Sequence, residues 1–432
     1  MLWNILLLAL SWSLGQGIFF IQISITTLAA TSFTNWYLAT IPIGSMLFVA
    51  TIWSVFLPRV IARYGYRPPF YFGALMGMIG AGLCIVAAWF KLYWLLVVSA
   101  AFIDGQVPCT FYYRLAGLQF STQKFASKAI AMVTAGGCLS PFFGPEIAKL
   151  MINVLPKQYS GAYLAALGGC AALLFTMRII RFPDVKKKHN AIESTSLPTT
   201  MDRNLSSSGR SIFKIVGQRT FVIAALGGFV SWSAMGIQMS AAALAMIGSG
   251  HTFPQAITAV EYHILGMFIP SFFTGTLCNW FGSRLVMLTG LLIQFVGTFL
   301  FQCGFEIIYF DMGLIVVGIG RNLGYVGSSI LFTKSYSPEE KTKTHSLYEA
   351  ILMFSISISF FSSAFAEQFL GWKTLTGMLI RIYLATAVLI VAVDTAFVFY
   401  KTKDLRIEIT HNDKQVKTPE LNIQVGSELH VR

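Results

Sequence analysis

The second half of this chain repeats the first, both in its succession of apolar segments and in a few residues that mark the turns. Four residues of the first half return at one constant spacing of 217 residues. They are Gly65, Arg67, Gly73 and Gly80, which return as Gly282, Arg284, Gly290 and Gly297. Each copy lies where an apolar segment ends, a short basic turn follows and another apolar segment begins. The duplication predicts two similar halves built from the same set of helices.

The composition excludes a water-soluble protein. Of the 432 residues, 55% are hydrophobic and only 11% are charged, whereas soluble domains carry about 25% charged residues. The formal net charge of +13 would suit a nucleic-acid partner if the basic residues were clustered, but they lie in turns between apolar segments. We therefore expect a lipid bilayer around the chain and no nucleic-acid partner.

Twelve apolar segments are long enough to cross a bilayer, which takes about 20 residues each. The sequence therefore predicts an all-α membrane protein with twelve transmembrane helices arranged as two pseudo-symmetric six-helix bundles. We place the bundles at residues 1–181 and 220–400. A polar linker at 182–219 joins them, and a polar tail follows at 401–432. Both polar stretches are too hydrophilic to form a core of their own.

Basic residues are distributed unevenly between the two sides of the predicted bundles. Most of the 31 Lys and Arg residues fall in the linker, the tail and the turns on one side. The other side holds only Lys91, Lys157 and Lys373. Because loops rich in Lys and Arg stay in the cytoplasm, both termini and the linker are predicted there. The chain is then a multi-pass protein of the cell membrane, or of the inner membrane if its source is bacterial.

The repeated turns resemble those of the major facilitator superfamily of transporters, whose second and third helices are joined by the pattern Gly-x-x-x-Asp-Arg-x-Gly-Arg-Arg/Lys. The corresponding residues are Pro58, Ala62, Arg63, Gly65, Tyr66 and Arg67 in the first copy, and Gly275, Asn279, Trp280, Gly282, Ser283 and Arg284 in the second. Both copies lack the aspartate of the pattern but keep the glycine and the basic residue of the turn. The resemblance implies that Arg63, Gly65, Arg67, Gly275, Gly282 and Arg284 form a conformational latch.

Two further stretches extend this resemblance. Gly144-Pro145 resembles a Gly-Pro motif in the fifth helix of that superfamily, and residues 263–268 and 271–275 resemble a bacterial subgroup of permeases within it. The resemblance covers about residues 1–400. It implies a secondary transporter that moves a small organic solute by alternating access and functions as a monomer. It also implies that the first, fourth, seventh and tenth helices line the solute path.

Ionisable side chains inside apolar segments are costly in a bilayer, so they are candidates for function. Asp104 and Arg321 differ by the repeat spacing of 217 and therefore lie at equivalent depths in the fourth and tenth helices. These opposite charges suit a zwitterionic solute or a salt bridge that forms in one conformation, and a permanent structural salt bridge is the alternative. Arg114 suits an anion or reaches the lipid headgroups. Glu349 is expected to pair with the basic turn at 341–343.

Polar and aromatic residues in the first and seventh helices complete the predicted substrate site. Trp12 and Trp232 occupy the same place in a repeated Ser-Trp-Ser sequence. Gln16 and Gln238 follow on the same helices, where Gly15, Gly17 and Gly236 allow bending. Helices with such residues often border transport sites when they are interrupted. We expect these four residues to bind or gate the solute, although repeated packing would also explain the two tryptophans.

Three groups are candidates for proton coupling, namely Glu146, Glu261 and His263. Glu146 stands three residues before Lys149, a spacing at which two opposite charges on a helix can pair, so a local ion pair is the alternative to a proton-carrying role. Histidine titrates near neutral pH. A packing role, with its ring donating to a carbonyl oxygen, is the alternative for His263. The solute would move down its own gradient or together with protons.

The sequence contains no phosphate-binding Gly-Lys-Ser/Thr loop, no Ser-His-Asp arrangement and no His-Glu-x-x-His zinc motif. We therefore expect no ATP-driven pump, no enzyme, and neither a cofactor nor a metal ion. The remaining alternative is a receptor or scaffold that keeps a transporter fold without transporting. The two missing loop aspartates and the polar tail are the features that would suit it.

Overall fold

The computed structural model describes residues 2–121, 125–137, 140–182, 210–337 and 340–415. Within these ranges the chain is helical, with short 3₁₀ segments and turns between the helices. The α-helices are α1 (Leu2–Thr31), α2 (Ile41–Tyr64), α3 (Arg67–Phe90), α4 (Tyr93–Ile103), α5 (Val107–Ala116), α6 (Ala126–Gly136), α7 (Ser140–Met151), α8 (Ser160–Ile179), α9 (Ile212–Val216), α10 (Arg219–Gly248), α11 (Phe253–Phe268), α12 (Ser271–Phe281), α13 (Ser283–Cys303), α14 (Ile307–Phe332), α15 (Lys341–Leu370) and α16 (Trp372–Gln415).

The described part of the chain contains ten helical stretches that are long and apolar enough to cross a membrane. Helices α11 and α12 add an eleventh if the 41° bend between them lies within one span. The fifth of the twelve predicted spans, at about residues 129–154, corresponds to α6 and α7, and residues 138–139 between them lie outside the described residues. Helices suit a bilayer because they satisfy every interior backbone hydrogen bond within the segment itself.

Each of the duplicated turns ends its helix with a glycine at positive φ. Gly65 ends α2 with φ of 80° and Gly282 ends α12 with φ of 85°. Residues with a Cβ atom rarely adopt this left-handed region, so glycine is the residue suited to both places. The next helix begins almost at once, at Arg67 in the first half and at Ser283 in the second.

The other repeated glycines allow neighbouring helices to pack closely. A Cβ atom on Gly80 would lie against the backbone of Ile103 at the end of α4. A Cβ atom on Gly297 would lie 2.8 Å from the backbone nitrogen of Val317 on α14. Small residues at such contacts let membrane helices approach backbone to backbone. The repeat in the sequence is therefore a repeat of helix packing, α3 on α4 and α13 on α14.

The helices before residue 182 pack mainly against one another, and so do the helices from Arg219 to Ala387. We call these the first set and the second set. The sets meet where α15 packs on α2, where α11 packs on α7, and along α1. The chain divides into a compact unit up to Ala387 and a separate stretch from Val388.

Helix α16 runs to Gln415, well past the predicted end of the twelfth span near residue 400. Residues 401–415 contain no glycine or proline that would stop a helix, which explains why helical geometry continues into the polar tail. Residues 183–209 of the predicted linker and residues 416–432 of the tail lie outside the described residues.

Candidate functional site

The two central helices, α1 and α10, are buried on nearly all sides at one end of the bundle. At the other end, one side of each helix is exposed. In α1 every residue from Phe20 to Ala30 except Ile23 is buried, whereas Leu10 in its first half is 48% exposed. In α10 all residues from Gln238 to Met246 are buried, whereas Phe229 is 39% exposed. We call the end at which α1 and α10 begin the linker end, and the opposite end the far end.

Contacts between the two sets close the far end where α15 meets α2. The hydroxyl of Ser357 donates to the carbonyl oxygen of Gly44 at 3.2 Å. The backbone N–H of Ala364 donates to the hydroxyl of Thr40 at 3.2 Å. A Cβ atom on Gly44 would overlap the ring of Phe361, so glycine permits this approach.

A second contact at the far end is an ion pair between α7 and α11. The ammonium group of Lys149 lies 3.0 Å from a carboxylate oxygen of Glu261 and also pairs with Glu146 on its own helix. It donates to the hydroxyl of Thr258 at 3.4 Å as well. Glu261 is 7% exposed, so this pair is shielded from solvent more than an ordinary surface salt bridge. The local pair predicted for Glu146 is present, and the structure adds a partner across the two sets.

In the first set an arginine lies over a tryptophan. The guanidinium carbon of Arg114 lies 5.9 Å from the ring centre of Trp12. The ring of Phe111 meets the same tryptophan edge-on at 6.0 Å. Such a cation–π contact contributes about 0.5–1 kcal/mol at an exposed site. Arg114 is exposed, in agreement with its position at the open side of the bundle.

The second set contains a matching stack. The guanidinium carbon of Arg321 lies 4.3 Å from the ring centre of Trp232 and 5.0 Å from that of Tyr325. The two aromatic rings meet edge-on at 5.2 Å. Neither the Nε of Arg321 nor the Nε1 of Trp232 has a hydrogen-bond partner among the described residues. Two donors in this stack are therefore buried without an acceptor in the described part of the chain.

Glu349 connects these two stacks electrostatically. Its carboxylate lies within range of the charges of Arg114 in the first set and Arg321 in the second. It also lies 4.0 Å from the ring of His345. The side chains of 341–343, with which Glu349 was expected to pair, lie outside the described residues.

Asp104 and Arg321 make no ion pair within the described part of the chain. Asp104 lies in a 3₁₀ turn between α4 and α5, is 2% exposed, and has one carboxylate oxygen without a hydrogen-bond partner. The turn packs against α2 and α3 of the first set. Equivalent depth in the two halves therefore does not bring these side chains together in this conformation.

The structure places the two predicted glutamines differently. Gln238 is fully buried, accepts from the hydroxyl of Thr298 at 3.0 Å and donates to the hydroxyl of Tyr383 at 3.1 Å. Both partners belong to the second set, so this amide faces the interior of its own set in this conformation. Gln16 is 8% exposed on α1, one residue before Gly17, at which a Cβ atom would meet open space.

The remaining predicted residues fall into two groups. His263 is buried, and its Nδ1 lies 2.8 Å from the carbonyl oxygen of Leu314, which is the packing contact named as the alternative to a protonation switch. In the predicted latch, Arg63 lies over the ring of Tyr64 at 5.3 Å and Arg67 over that of Tyr71 at 5.6 Å. These arginines therefore contact rings within the first set.

Sequence reasoning missed Tyr325 and Phe111 and assigned Glu349 to the basic turn instead of to the site. Tyr325 follows Arg321 by four residues and Phe111 precedes Arg114 by three, so helical periodicity could have placed each ring beside its arginine. Glu349 carried no such signal, because its partners lie on α5 and α14 and only the fold brings them near.

No protein-family model matches the chain. It is 28% identical over 389 residues to the riboflavin transporter RfnT of Brucella anthropi, covering 88% of this chain and 92% of that protein. It is 21% identical over 311 residues to the MFS-type transporter YdeG of Bacillus subtilis, covering 70% and 71% of the two chains. The crystal structure of a point mutant of the nucleoside transporter NupG superposes with a TM-score of 0.68 at 14% identity, over 90% of this chain and 99% of that one. The last similarity shows a shared fold.

Proposed function

We propose that the chain is a transporter of the major facilitator superfamily, with the fold of two six-helix bundles, and that it carries riboflavin by alternating access. The observation that supports this solute is the similarity to a riboflavin transporter along nearly the whole of both chains. The stacks of arginine on tryptophan suit such a solute, because riboflavin is a planar ring system with carbonyl oxygens along one edge and a polyol chain.

The conformation supports alternating access. The far end is closed by contacts of α15 on α2 and of α11 on α7, while α1 and α10 are open along one side at the linker end. If the linker and both termini are cytoplasmic, as the distribution of Lys and Arg predicts, this is an inward-open state of a protein in the cell membrane. Movement of the predicted bundles about the central residues would then open the far end.

Of the three groups predicted for proton coupling, Glu261 has the geometry that best fits the role. It is buried, ionisable and paired with a residue of the other set, so its environment must change when the far end opens. Glu146 has Lys149 as a neighbour on its own helix in either state. The Nδ1 of His263 is already hydrogen-bonded with the backbone carbonyl oxygen of Leu314. We propose that the protein works as a monomer, because the path lies within one chain.

Uptake of radiolabelled riboflavin into proteoliposomes tests this function. The purified full-length chain should give saturable uptake that unlabelled riboflavin competes away and that an equal excess of fucose leaves unchanged. Vesicles without protein are the control. Riboflavin binding without flux would favour the alternative of a non-transporting receptor. The absence of both binding and flux would exclude riboflavin as the solute.

A further inference from the structure

One arginine lies on the outer side of α16, near the middle of a membrane span. The part of this helix that is apolar enough to cross a membrane runs from Trp372 to Val393. Arg381 is exposed and lies within this part. At about 1.5 Å per residue, it is about 14 Å along the helix from Trp372 and about 18 Å from Val393. An arginine side chain is only about 7 Å long, so it cannot carry its charge to either end of the span.

Amphipathic side chains mark the membrane surface at the far end. The ammonium nitrogen of Lys373, the second residue of α16, lies 5.2 Å from the ring centre of Phe305. Trp94, the second residue of α4, is 70% exposed. Lysine and tryptophan near the ends of spans are typical of the layer where headgroups meet the hydrocarbon. Arg381 lies about 12 Å deeper than Lys373 along the same helix, within the hydrocarbon layer.

Arg381 lies on the side of α16 that faces away from the other helices. The side chains of α16 that pack against the second set form one buried stripe, made up of Trp372, Leu375, Thr376, Leu379 and Tyr383. At about 100° per residue, Arg381 lies opposite the centre of this stripe. It makes no hydrogen bond, ion pair or ring contact within the described part of the chain. Arginine is among the costliest residues to leave unpaired in the middle of a bilayer, so this position calls for an anionic partner.

Small residues lie on the same face, directly above and below Arg381. Gly377 and Ala385 are each one helical turn away, and Thr374 is two turns away towards the far end. A Cβ atom on Gly377 would have the Nε2 of Gln302 as its nearest neighbour, at the ordinary contact distance of 3.8 Å. The packing of this chain therefore leaves room for a side chain at that glycine. Small residues on the outside of a span let a second helix approach closely.

The charge on this face disfavours a second copy of the chain as its partner. A symmetric pair of copies joined through this face would bring Arg381 against Arg381. The exposed carboxylates of the described residues, Glu146 and Glu306, lie at the far end and not at this depth. Lipid phosphates lie at the membrane surface, beyond the reach of the side chain. A carboxylate within the span of another protein meets the guanidinium at its own depth.

We infer that the face of α16 around Arg381 binds a transmembrane helix of a second membrane protein, which carries an aspartate or glutamate near the middle of its span. The ion pair leaves neither charge unpaired in the hydrocarbon layer, and Gly377 and Ala385 let the two backbones approach. The face lies on the outside of the second set, so the partner does not obstruct the path proposed for the solute.

Association with a designed single-span peptide tests the inference. The probes are two leucine–alanine helices that differ only in their central residue, which is glutamate in one and glutamine in the other. Each peptide carries an acceptor dye, and the full-length chain carries a fluorescent protein at its carboxyl end. Energy transfer in vesicles of neutral phosphatidylcholine then measures association. The glutamate peptide should bind the native chain about tenfold more tightly than the glutamine peptide.

Variants of the chain separate the charge from the close approach. Arg381→Gln should abolish the preference for the glutamate peptide, and its thermal unfolding should match that of the native chain. The matched control is Arg178→Gln, because Arg178 is exposed in the last turn of α8, where its side chain reaches the headgroups. Gly377→Leu should weaken the binding of both peptides. A benzophenone side chain at Ala385 should cross-link the glutamate peptide, whereas one at Leu292, 61% exposed on α13, should not.

Equal binding of the two peptides, or a preference that survives in Arg381→Gln, would overturn the inference. Repeating the measurement with phosphatidylglycerol in the vesicles tests an anionic lipid as the occupant instead. A preference that persists there supports a partner helix. A preference that phosphatidylglycerol removes would show that a lipid phosphate neutralises Arg381, and the partner helix would be wrong. Riboflavin takes no part in these measurements, so their outcome is independent of the proposed function.

Discussion

Lys149 on α7 lies 3.0 Å from Glu261 on α11, and this ion pair joins the two sets of helices at the far end. Lys149 has a second carboxylate, Glu146, one turn away on its own helix. In the proposed opening of the far end, Lys149 would stay with Glu146 while Glu261 would lose its partner. Protonation of Glu261 would then avoid leaving a buried carboxylate charge without a partner.

We therefore expect Glu261→Gln to favour the state that is open at the far end. Spin labels at Val154 and Ser249, both exposed at that end, would report the change by electron–electron distance measurement. The labels require a background in which the six native cysteines are serine and riboflavin exchange is retained. The distance should lengthen in Glu261→Gln at neutral pH, and in the parent it should lengthen only as the pH is lowered.

Glu146→Gln is the matched control for that experiment. It removes the carboxylate within one helix and keeps the pair between the sets, so the parent's pH response should persist. An unchanged distance in Glu261→Gln, or an equal lengthening in both variants, would contradict the assignment of Glu261 to the closed far end.

The closely packed glycines give a prediction on stability. Gly80 faces the backbone of Ile103, whereas a Cβ atom on Gly82, two residues along the same helix, would meet no atom within 4 Å. Gly80→Val should therefore lower the stability of the purified protein by about 1–3 kcal/mol, because the two helices must move apart. Gly82→Val should leave the thermal unfolding temperature within error, and equal losses in both variants would contradict the packing described for α3 and α4.

The end of the linker is held by a charged contact outside the membrane spans. Arg210 donates from Nη2 to Glu340 at 2.8 Å and from its backbone N–H at 2.7 Å, and the N–H of Ser337 donates at 3.0 Å. The Arg210 guanidinium, followed by the Ser337 N–H, holds the pKa of Glu340 well below its ordinary value. A carboxyl group with a lowered pKa stabilises the fold above its unfolded pKa of about 4.3 and loses that effect as the pH falls towards the folded value.

Glu340→Gln should accordingly speed hydrogen–deuterium exchange across residues 210–216. The difference from the native chain should stay constant between about pH 5 and 8 and disappear only in more acidic solution, below about 4.3. Lys214→Gln serves as the control, because Lys214 is exposed on the same short helix. A difference that vanishes near neutral pH would contradict the lowered pKa of Glu340.

Asp104 and Arg321 should act independently on solute binding. Asp104 lies in a turn of the first set without an ion-pair partner among the described residues, and Arg321 is stacked on Trp232. In a double-mutant cycle of Asp104→Asn and Arg321→Gln, the changes in riboflavin binding free energy should add to within about 0.5 kcal/mol. A larger coupling energy would show that the two charges meet in a solute-bound state.

Much of the fold was predictable because the repeated residues act on the backbone conformation or on the nearest helix. Gly65 and Gly282 take the same left-handed turn, and Gly80 and Gly297 make the same close helix contact. These roles depend on the backbone and on near neighbours, so they can be inferred from spacing alone. Trp12 and Trp232 were identified as site candidates for the same reason, since they return with the repeat.

Contacts between distant segments could not be predicted in this way. The repeat places Asp104 and Arg321 at one depth but does not set the direction of either side chain. The pairing of Lys149 with Glu261 spans 112 residues and depends on which end of the bundle is closed. The link from Glu349 to two arginines likewise depends on the arrangement of three helices.

The most direct test of the account is entrance counterflow of labelled riboflavin in proteoliposomes loaded with unlabelled riboflavin. Counterflow needs only that one site be exposed alternately on two sides, so it is independent of the energy source. The account predicts transient accumulation of label by the native chain and a loss of at least about tenfold in Arg321→Gln, with Trp94→Ala unchanged. No accumulation by the native chain, or full accumulation by Arg321→Gln, would contradict it.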